Sequence, residues 1–550
     1  MLHRITVCFV MMMSLVFFVA TTAERAVAEN GQSPSRIVFR ETFDGDTLPN
    51  WSGLNQQSVS RETLQITDEN GEQVVAKVIK VEHSASKGAG NTNISTQLPV
   101  EQLRGKRLLV RARIKTDNVS QPPVAWNGVK CMLRIESPGK TDWPQKQNVH
   151  GTLDWQVIEN VATVSPDAND IKLILGLESV TGTVWFDEVS LQVIGEMRKR
   201  PANASNALQN MTDRDSVYKG HDRERLRGAM IGTSVGESDI RVLGGDWGSN
   251  HIRWQLLWGG FPNGPADEAT PDEYRQWLEG QLKRIDSLLP VCEELGMLIV
   301  IDLHTPPGGR DKNSNMPLFQ RKELQVEFVR AWEEIATRYK DKKAIWGYDL
   351  LNEPCEGIVP NGVMNWQELV TETAKRVRKI DPERTIIVEP APWGSPDSLD
   401  WLEPLEGIDN IVYSAHMYLP HSFTHQSVYG DVEPISYPGE IDGKYWDKQQ
   451  LRKALAPVFN FQNDHNVRIY IGEFSAIRWA PGDSARDYLR DCIEIFEEND
   501  WDWAYHAFRE WAGWSVEHTG PKNATQRAGS PTDRQKLLVE YFLKCKRGKK

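Results

Sequence analysis

The chain has 550 residues, 39% of them apolar and 25% charged, which excludes a disordered or fibrous protein and allows two or three domains with cores of their own. Its formal net charge is -12, from 64 basic and 76 acidic residues, and its polybasic run is the C-terminal "KCKRGKK". That balance argues against nucleic acid as a partner, because phosphate binding needs a basic face.

At the N-terminus, "MLHRITVCFVMMMSLVFFVATTAERAVAEN" places Arg4 before an apolar stretch from Ile5 to Ala20, and Ala26-Val27-Ala28 supplies a small-residue cleavage pattern. The stretch is short for a membrane span and no second one of spanning length follows, so residues 1–28 read as a signal peptide and the chain as exported, either secreted or periplasmic. An uncleaved membrane anchor is the alternative. Of six cysteines, Cys8 leaves with this segment. Cys131, Cys292, Cys355, Cys492 and Cys545 are odd in number and widely scattered, which fits neither a disulfide framework nor a CxxC metal site.

From 37 to 195 the chain runs in short alternating segments ("RLLVRARIKT", "VKCMLRIES", "IKLILGLES", "TVWFDEVSLQVI") separated by Gly, Asn, Asp and Pro. Such a pattern predicts an antiparallel β-sandwich. Residues 196–225 are polar and aperiodic, as in a linker. From 226 to 550 eight strand-like runs ("LRGAMIGTS", "HIRWQL", "MLIVIDLH", "IWGYDLLNEP", "TIIVEP", "NIVYSAHMY", "RIYIGEFS", "WDWAYHAFR") alternate with amphipathic helical segments. Eight βα units in one sheet predict a (β/α)8 TIM barrel, whose chemistry lies at the C-terminal ends of the strands.

Polar residues gather at those ends. Arg253 lies in strand two, His304 ends strand three, Asn352 and Glu353 end strand four, His416 and Tyr418 end strand six, and Glu473 follows "IYIG" in strand seven. A carboxylate after a buried apolar strand is costly unless partnered, so Glu353 and Glu473 point to a site. Asp302, Asp349 and Glu389 are rival acids, read as structural or secondary. "HSFTH" offers His421 and His425 at helical spacing, but it lacks the Glu of HExxH and opens on Pro420. With no HxH after strand one, no glycine-rich phosphate loop and no GxSxG elbow, neither a metal nor a cofactor is expected.

The segments "NHIRW", "DLH", "LLNEP", "HMY" and "IGEF", in this order, resemble glycoside hydrolase family 5, the cellulase and mannanase family. The resemblance covers about residues 226 to 518. It implies Glu353 as proton donor and Glu473 as nucleophile, with Asn352, Arg253, His304, His416 and Tyr418 binding substrate or holding the carboxylates. Arg253 and Tyr418 are expected to keep Glu473 ionised, and Glu353, with no such cation beside it, to keep its proton. For the sugar-stacking tryptophan of strand eight the resemblance leaves two positions, Trp511 and, by direct alignment of "WAYHAF", His506. In the N-terminal region "GTVWFDEVSLQV" resembles the last strand of jelly-roll carbohydrate-binding modules. The expectation is therefore a secreted, monomeric, retaining β-glycoside hydrolase of endo-β-1,4-glucanase type, with a polysaccharide (β-glucan or related) as partner. A mannanase or other β-glycanase, or a catalytically silent glycan-binding protein, is the alternative.

Overall fold

The structure, a computed structural model, describes residues 36–67, 72–84, 90–138, 140–199, 217–259, 269–311 and 314–547. The expected signal peptide, residues 1–28, lies outside them. The chain divides into two compact units, Met1–Glu196 and Met197–Lys550.

The first unit is the expected antiparallel sandwich. One sheet has six strands and the other five. Alternation builds the core: along Lys106–Val119, Leu108, Val110, Ala112 and Ile114 point inward while Arg107, Arg111, Arg113 and Lys115 point outward. Inward residues of the facing sheet, among them Ile94, Val129, Leu173 and Leu175, complete one shared core.

In the second unit eight parallel strands close into a barrel: Arg227–Ile231, His251–Gln255, Leu298–Asp302, Ile345–Asp349, Thr385–Val388, Ile411–Met417, Arg468–Phe474 and Asp502–Phe508. All eight sequence-predicted strands are present. Covering helices start where the sequence supplies caps. Thr270 accepts from the Glu273 N–H while the Glu273 carboxylate accepts from the Thr270 N–H, and Pro271 opens the helix Pro271–Glu294. Tyr274, Leu278, Leu282, Ile285 and Leu289 form its buried face, at spacings of three and four.

Strand two shows how the site is placed. Ile252 and Trp254 point out to the helices, so the strand's period of two turns His251, Arg253 and Gln255 into the barrel. His251 lies low, between the Leu298 carbonyl and the Tyr470 hydroxyl, each at 2.9 Å, and burial drives its pKa down to about 3, leaving it neutral. Arg253 lies one layer higher.

The described ends of the stretch expected as linker pack on this unit. Arg198 pairs with buried Asp464 at 3.3 Å. Beneath the barrel, the Tyr218 hydroxyl meets Thr385 Oγ1 at 2.9 Å, Trp346 Nε1 donates to the Lys219 carbonyl at 3.0 Å, and His221 Nε2 lies 3.2 Å from Asp502 Oδ2. Residues 217–225 are thus barrel floor rather than linker.

Candidate active site

Arg253 is the hub of the site. Wholly buried, it donates from Nη1 to Glu473 Oε1 at 2.6 Å, from Nη2 to Glu389 Oε1 at 2.9 Å and Asn352 Oδ1 at 3.1 Å, and from Nε to Asp349 Oδ2 at 3.0 Å. Asp302 Oδ1 lies 3.2 Å from Nη2. Burial works against the charge, but the carboxyls of Asp302, Glu473 and Glu389 hold the guanidinium ionised. So many buried acids around one cation cannot all ionise. Burial first, then the neighbouring Glu389, pushes Asp349 far above the carboxylate range, so it carries a proton.

Glu473 ends up on the ionised side. Besides Arg253, the Tyr418 hydroxyl donates to its Oε2 at 2.8 Å, and His506 Nδ1 lies 3.1 Å from the same oxygen. Burial would raise its pKa, but His416, His506 and Arg253 together pull it well below the usual range. Burial and the adjacent Glu473 keep the Tyr418 phenol protonated, as a donor must be.

Glu353 lies beyond strand four rather than in it, on left-handed backbone with φ of 48°. That turn is clamped from two sides: its N–H donates to Glu389 Oε2 at 2.8 Å, and its carbonyl accepts from Arg310 Nη2 at 2.7 Å. The Glu353 carboxyl is 21% exposed, and His416 Nδ1 lies 2.9 Å from its Oε1. This corrects the expectation that no cation stands beside Glu353. Burial opposes the imidazolium, yet Glu389 and Glu473, with the hydrogen bond to Glu353, raise its pKa well above the usual value. The two glutamates therefore differ in the number of donors they face rather than in the presence or absence of a cation. Gly394 permits the crowding: its φ is 59°, and a Cβ there would stand 2.8 Å from Glu389 Oε2 and 3.2 Å from His416 Cγ.

One ligand atom each from Glu353, His416 and Glu473 lie within 4.8 Å of one another. Such a set could chelate a cation, and equally it brings two carboxyls close together, as double displacement requires, where the groups stand about 5 to 5.5 Å apart.

The structure brings Arg253, Asn352, Glu353, His416, Tyr418 and Glu473 together. His304 joins through Nδ1, 2.8 Å from Asp302 Oδ2, and Nε2, 3.4 Å from Asn352 Nδ2. Trp511 packs edge-on against Trp479 and Trp514, with ring centroids 5.8 and 5.5 Å away. The ring beside Tyr418 and His506 is Trp514, and the side chain that strand eight itself sets against Glu473 is His506. On the rim, the half-exposed Trp393 indole faces the Arg310 guanidinium at 4.9 Å.

Among known proteins, the model of the family described as Cellulase (glycosyl hydrolase family 5) matches residues 224–512, more than half of the chain. The chain belongs to this family. Similar proteins include Endoglucanase C of Acetivibrio thermocellus, 29% identical over 49% of this chain and 82% of that protein. Cellodextrinase A of Ruminococcus flavefaciens is 25% identical over 51% of this chain and 78% of its own length. A solved glycoside hydrolase covers 57% of this chain and 99% of its own, at 25% identity and a TM-score of 0.47.

In this family 5 glycoside hydrolase, Glu510 and Arg310 contribute to the site without any strand-end signal in the sequence, and Glu389 does more than its reading as a secondary acid implies. Glu389 follows "TIIV" directly, at the end of strand five, and that position was its signal. Glu510 and Arg310 lie in loops, where no periodicity marks them.

Proposed function

We propose that this family 5 hydrolase is an exported, retaining endo-β-1,4-glucanase that works by double displacement, with Glu473 as nucleophile and Glu353 as acid and base. The observation that carries this reading is the pair of carboxyls, with oxygens within 4.8 Å, in unequal surroundings. In the first step a Glu473 oxygen attacks the anomeric carbon, the glycosidic C–O bond breaks, and the Glu353 proton passes to the leaving oxygen. In the second, Glu353 takes a proton from water, the water oxygen attacks the same carbon, and Glu473 leaves. Asn352, oriented by Arg253 Nη2, faces the sugar 2-hydroxyl, and His304 and His416 line the pocket beside it. The His416 ring at Nδ1, 2.9 Å from Glu353 Oε1, stabilises the carboxylate left when that proton departs.

The relatives named as endoglucanases support β-1,4-glucan over mannan. The N-terminal sandwich, whose last strand resembles carbohydrate-binding modules, would hold the enzyme on its polymer, and residues 1–28 would direct export. Following the first-formed anomer by NMR tests the mechanism: β product before mutarotation is expected, and α product would overturn it. Reducing-sugar release from a panel of glucan, mannan, xyloglucan and xylan tests the substrate. Activity unchanged after dialysis against EDTA is expected, since no step uses a metal.

A further inference from the structure

Strand eight and the loop after it carry a pair, His506 and Glu510, for which the mechanism above has no task. The His506 ring is 9% exposed and the Glu510 carboxyl 7%, and His506 Nε2 lies 3.0 Å from Glu510 Oε2. On its other side, Nδ1 meets both the Tyr418 hydroxyl and Glu473 Oε2, the latter at 3.1 Å.

Tyr418 has one hydroxyl proton and two claimants for it, Glu473 Oε2 at 2.8 Å and His506 Nδ1. With a bare Nδ1, the imidazole accepts that proton's hydrogen bond and the carboxylate loses it. A protonated Nδ1 donates to the phenol oxygen instead, and the hydroxyl is free to donate to Glu473. Nε2 needs its own proton to donate to Glu510. The doubly protonated ring is thus the form that satisfies Glu473, Tyr418 and Glu510 together.

We propose that His506, kept as an imidazolium by Glu510, is a positioning residue that turns the Tyr418 hydroxyl toward Glu473 and sets the ionisation of that nucleophile. The proposal rests on Glu473 being the nucleophile. The groups facing His506 are consistent with it. Glu473 comes from strand seven, Tyr418 from the end of strand six, Glu510 from the loop after strand eight, and the Trp514 ring lies 5.7 Å away. His425, from the short helix His421–Thr424 and its cap, adds no competing charge: burial, then His421 and His506, lower its pKa to about 3. Burial opposes the charge on His506 as well, but Glu473 and Glu510 outweigh it and raise its pKa to about 10. Where direct alignment put the ring that would floor the sugar site, this chain has a charged link to its nucleophile.

The test uses the full chain and 2-deoxy-2-fluoro-β-cellobiosyl fluoride. A carboxylate displaces fluoride from this reagent, a C–O ester bond forms, and no acid is required, so the labelling rate reads the ionisation of the nucleophile. The labelled peptide is mapped by mass spectrometry. In the wild type the label is expected on Glu473 at a rate that stays level from pH 5 to 8. His506→Gln moves the acid limb up by about one unit, an approximately tenfold loss of rate at pH values below both limbs, with the label still on Glu473. Glu510→Gln keeps the imidazole but removes its counter-ion, so the ring loses its proton at lower pH, the Tyr418 hydroxyl turns from Glu473 to Nδ1, and the misaligned nucleophile labels more slowly on the alkaline side. Superimposable pH profiles with Glu473 labelled throughout would overturn the proposal. A wild-type label on another residue would instead remove Glu473 as nucleophile, and the proposal with it. If His506→Gln does not fold, the alkaline limb of Glu510→Gln decides, and an unmoved limb refutes the proposal.

Discussion

Glu389→Gln removes one charge and leaves the shape of the side chain intact. The wild-type carboxylate, wholly buried, accepts from Arg253 Nη2 on one oxygen at 2.9 Å and from the Glu353 N–H on the other at 2.8 Å. An amide accepts on one atom and donates from the other. Whichever way it turns, its NH2 group faces either the guanidinium or the N–H that holds the left-handed turn at Glu353. One charge-assisted hydrogen bond is lost, about 1.5–3 kcal/mol, and a buried donor is left unpaired, about 1–3 kcal/mol more. The expected destabilisation is therefore about 3–5 kcal/mol. Because Arg253 and Glu353 both lean on Glu389, a shift of about 1 Å in either should lower kcat by about 10²-fold. Asp349→Asn is the control. Asp349 is equally buried and accepts from Arg253 Nε at 3.0 Å, but it already carries a proton and its Oδ1 makes no hydrogen bond. An amide of the same shape should cost about 1 kcal/mol or less. Urea unfolding at pH 7, alongside kcat on an aryl β-cellobioside, measures both variants. Equal losses from the two substitutions, or a Glu389→Gln cost below about 1 kcal/mol, would refute the argument.

Glu473→Ala should lose hydrolysis of every substrate by several orders of magnitude, whereas Glu353→Ala should spare glycosylation by substrates with good leaving groups, and initial rates on a series of aryl β-cellobiosides distinguish the two. For stability against pH the signs oppose each other. The depressed pKa of Glu473 contributes stability that is present above about pH 4.3 and lost as pH falls through its folded value, while the raised pKa of His506 contributes stability that is full below about pH 6.5 and lost as pH rises through about 10. Urea midpoints should therefore fall from pH 7 to 10, and fall less steeply in His506→Gln. A barrel fragment beginning at Val217 should unfold at higher urea than one beginning at Leu226, because the latter lacks the contacts of Tyr218, Lys219 and His221 beneath the strands. Equal midpoints would mean that the floor adds nothing.

What the sequence by itself determined is what local pattern records. The alternation of Lys106–Val119 and of its neighbours is enough to specify a sandwich, and eight apolar runs separated by amphipathic helices are enough to specify a closed parallel barrel. Strand ends also carry a legible signal, since polar residues following buried apolar runs must converge, and Arg253, Asn352, Glu353, His416, Tyr418 and Glu473 do meet. Tertiary structure decided which of them face each other. His416 reaches Glu353 because the chain leaves strand four through a left-handed turn held by Glu389, a contact made across 36 residues. Glu510 meets His506 one helical spacing later in a loop with no periodicity to reveal it, and residues 217–221 become barrel floor through partners 127 to 281 residues away. Periodicity records the side of a strand on which a residue lies. Barrel closure and loop geometry set the distances between residues on different strands, and with them the sharing of charge among buried acids and histidines.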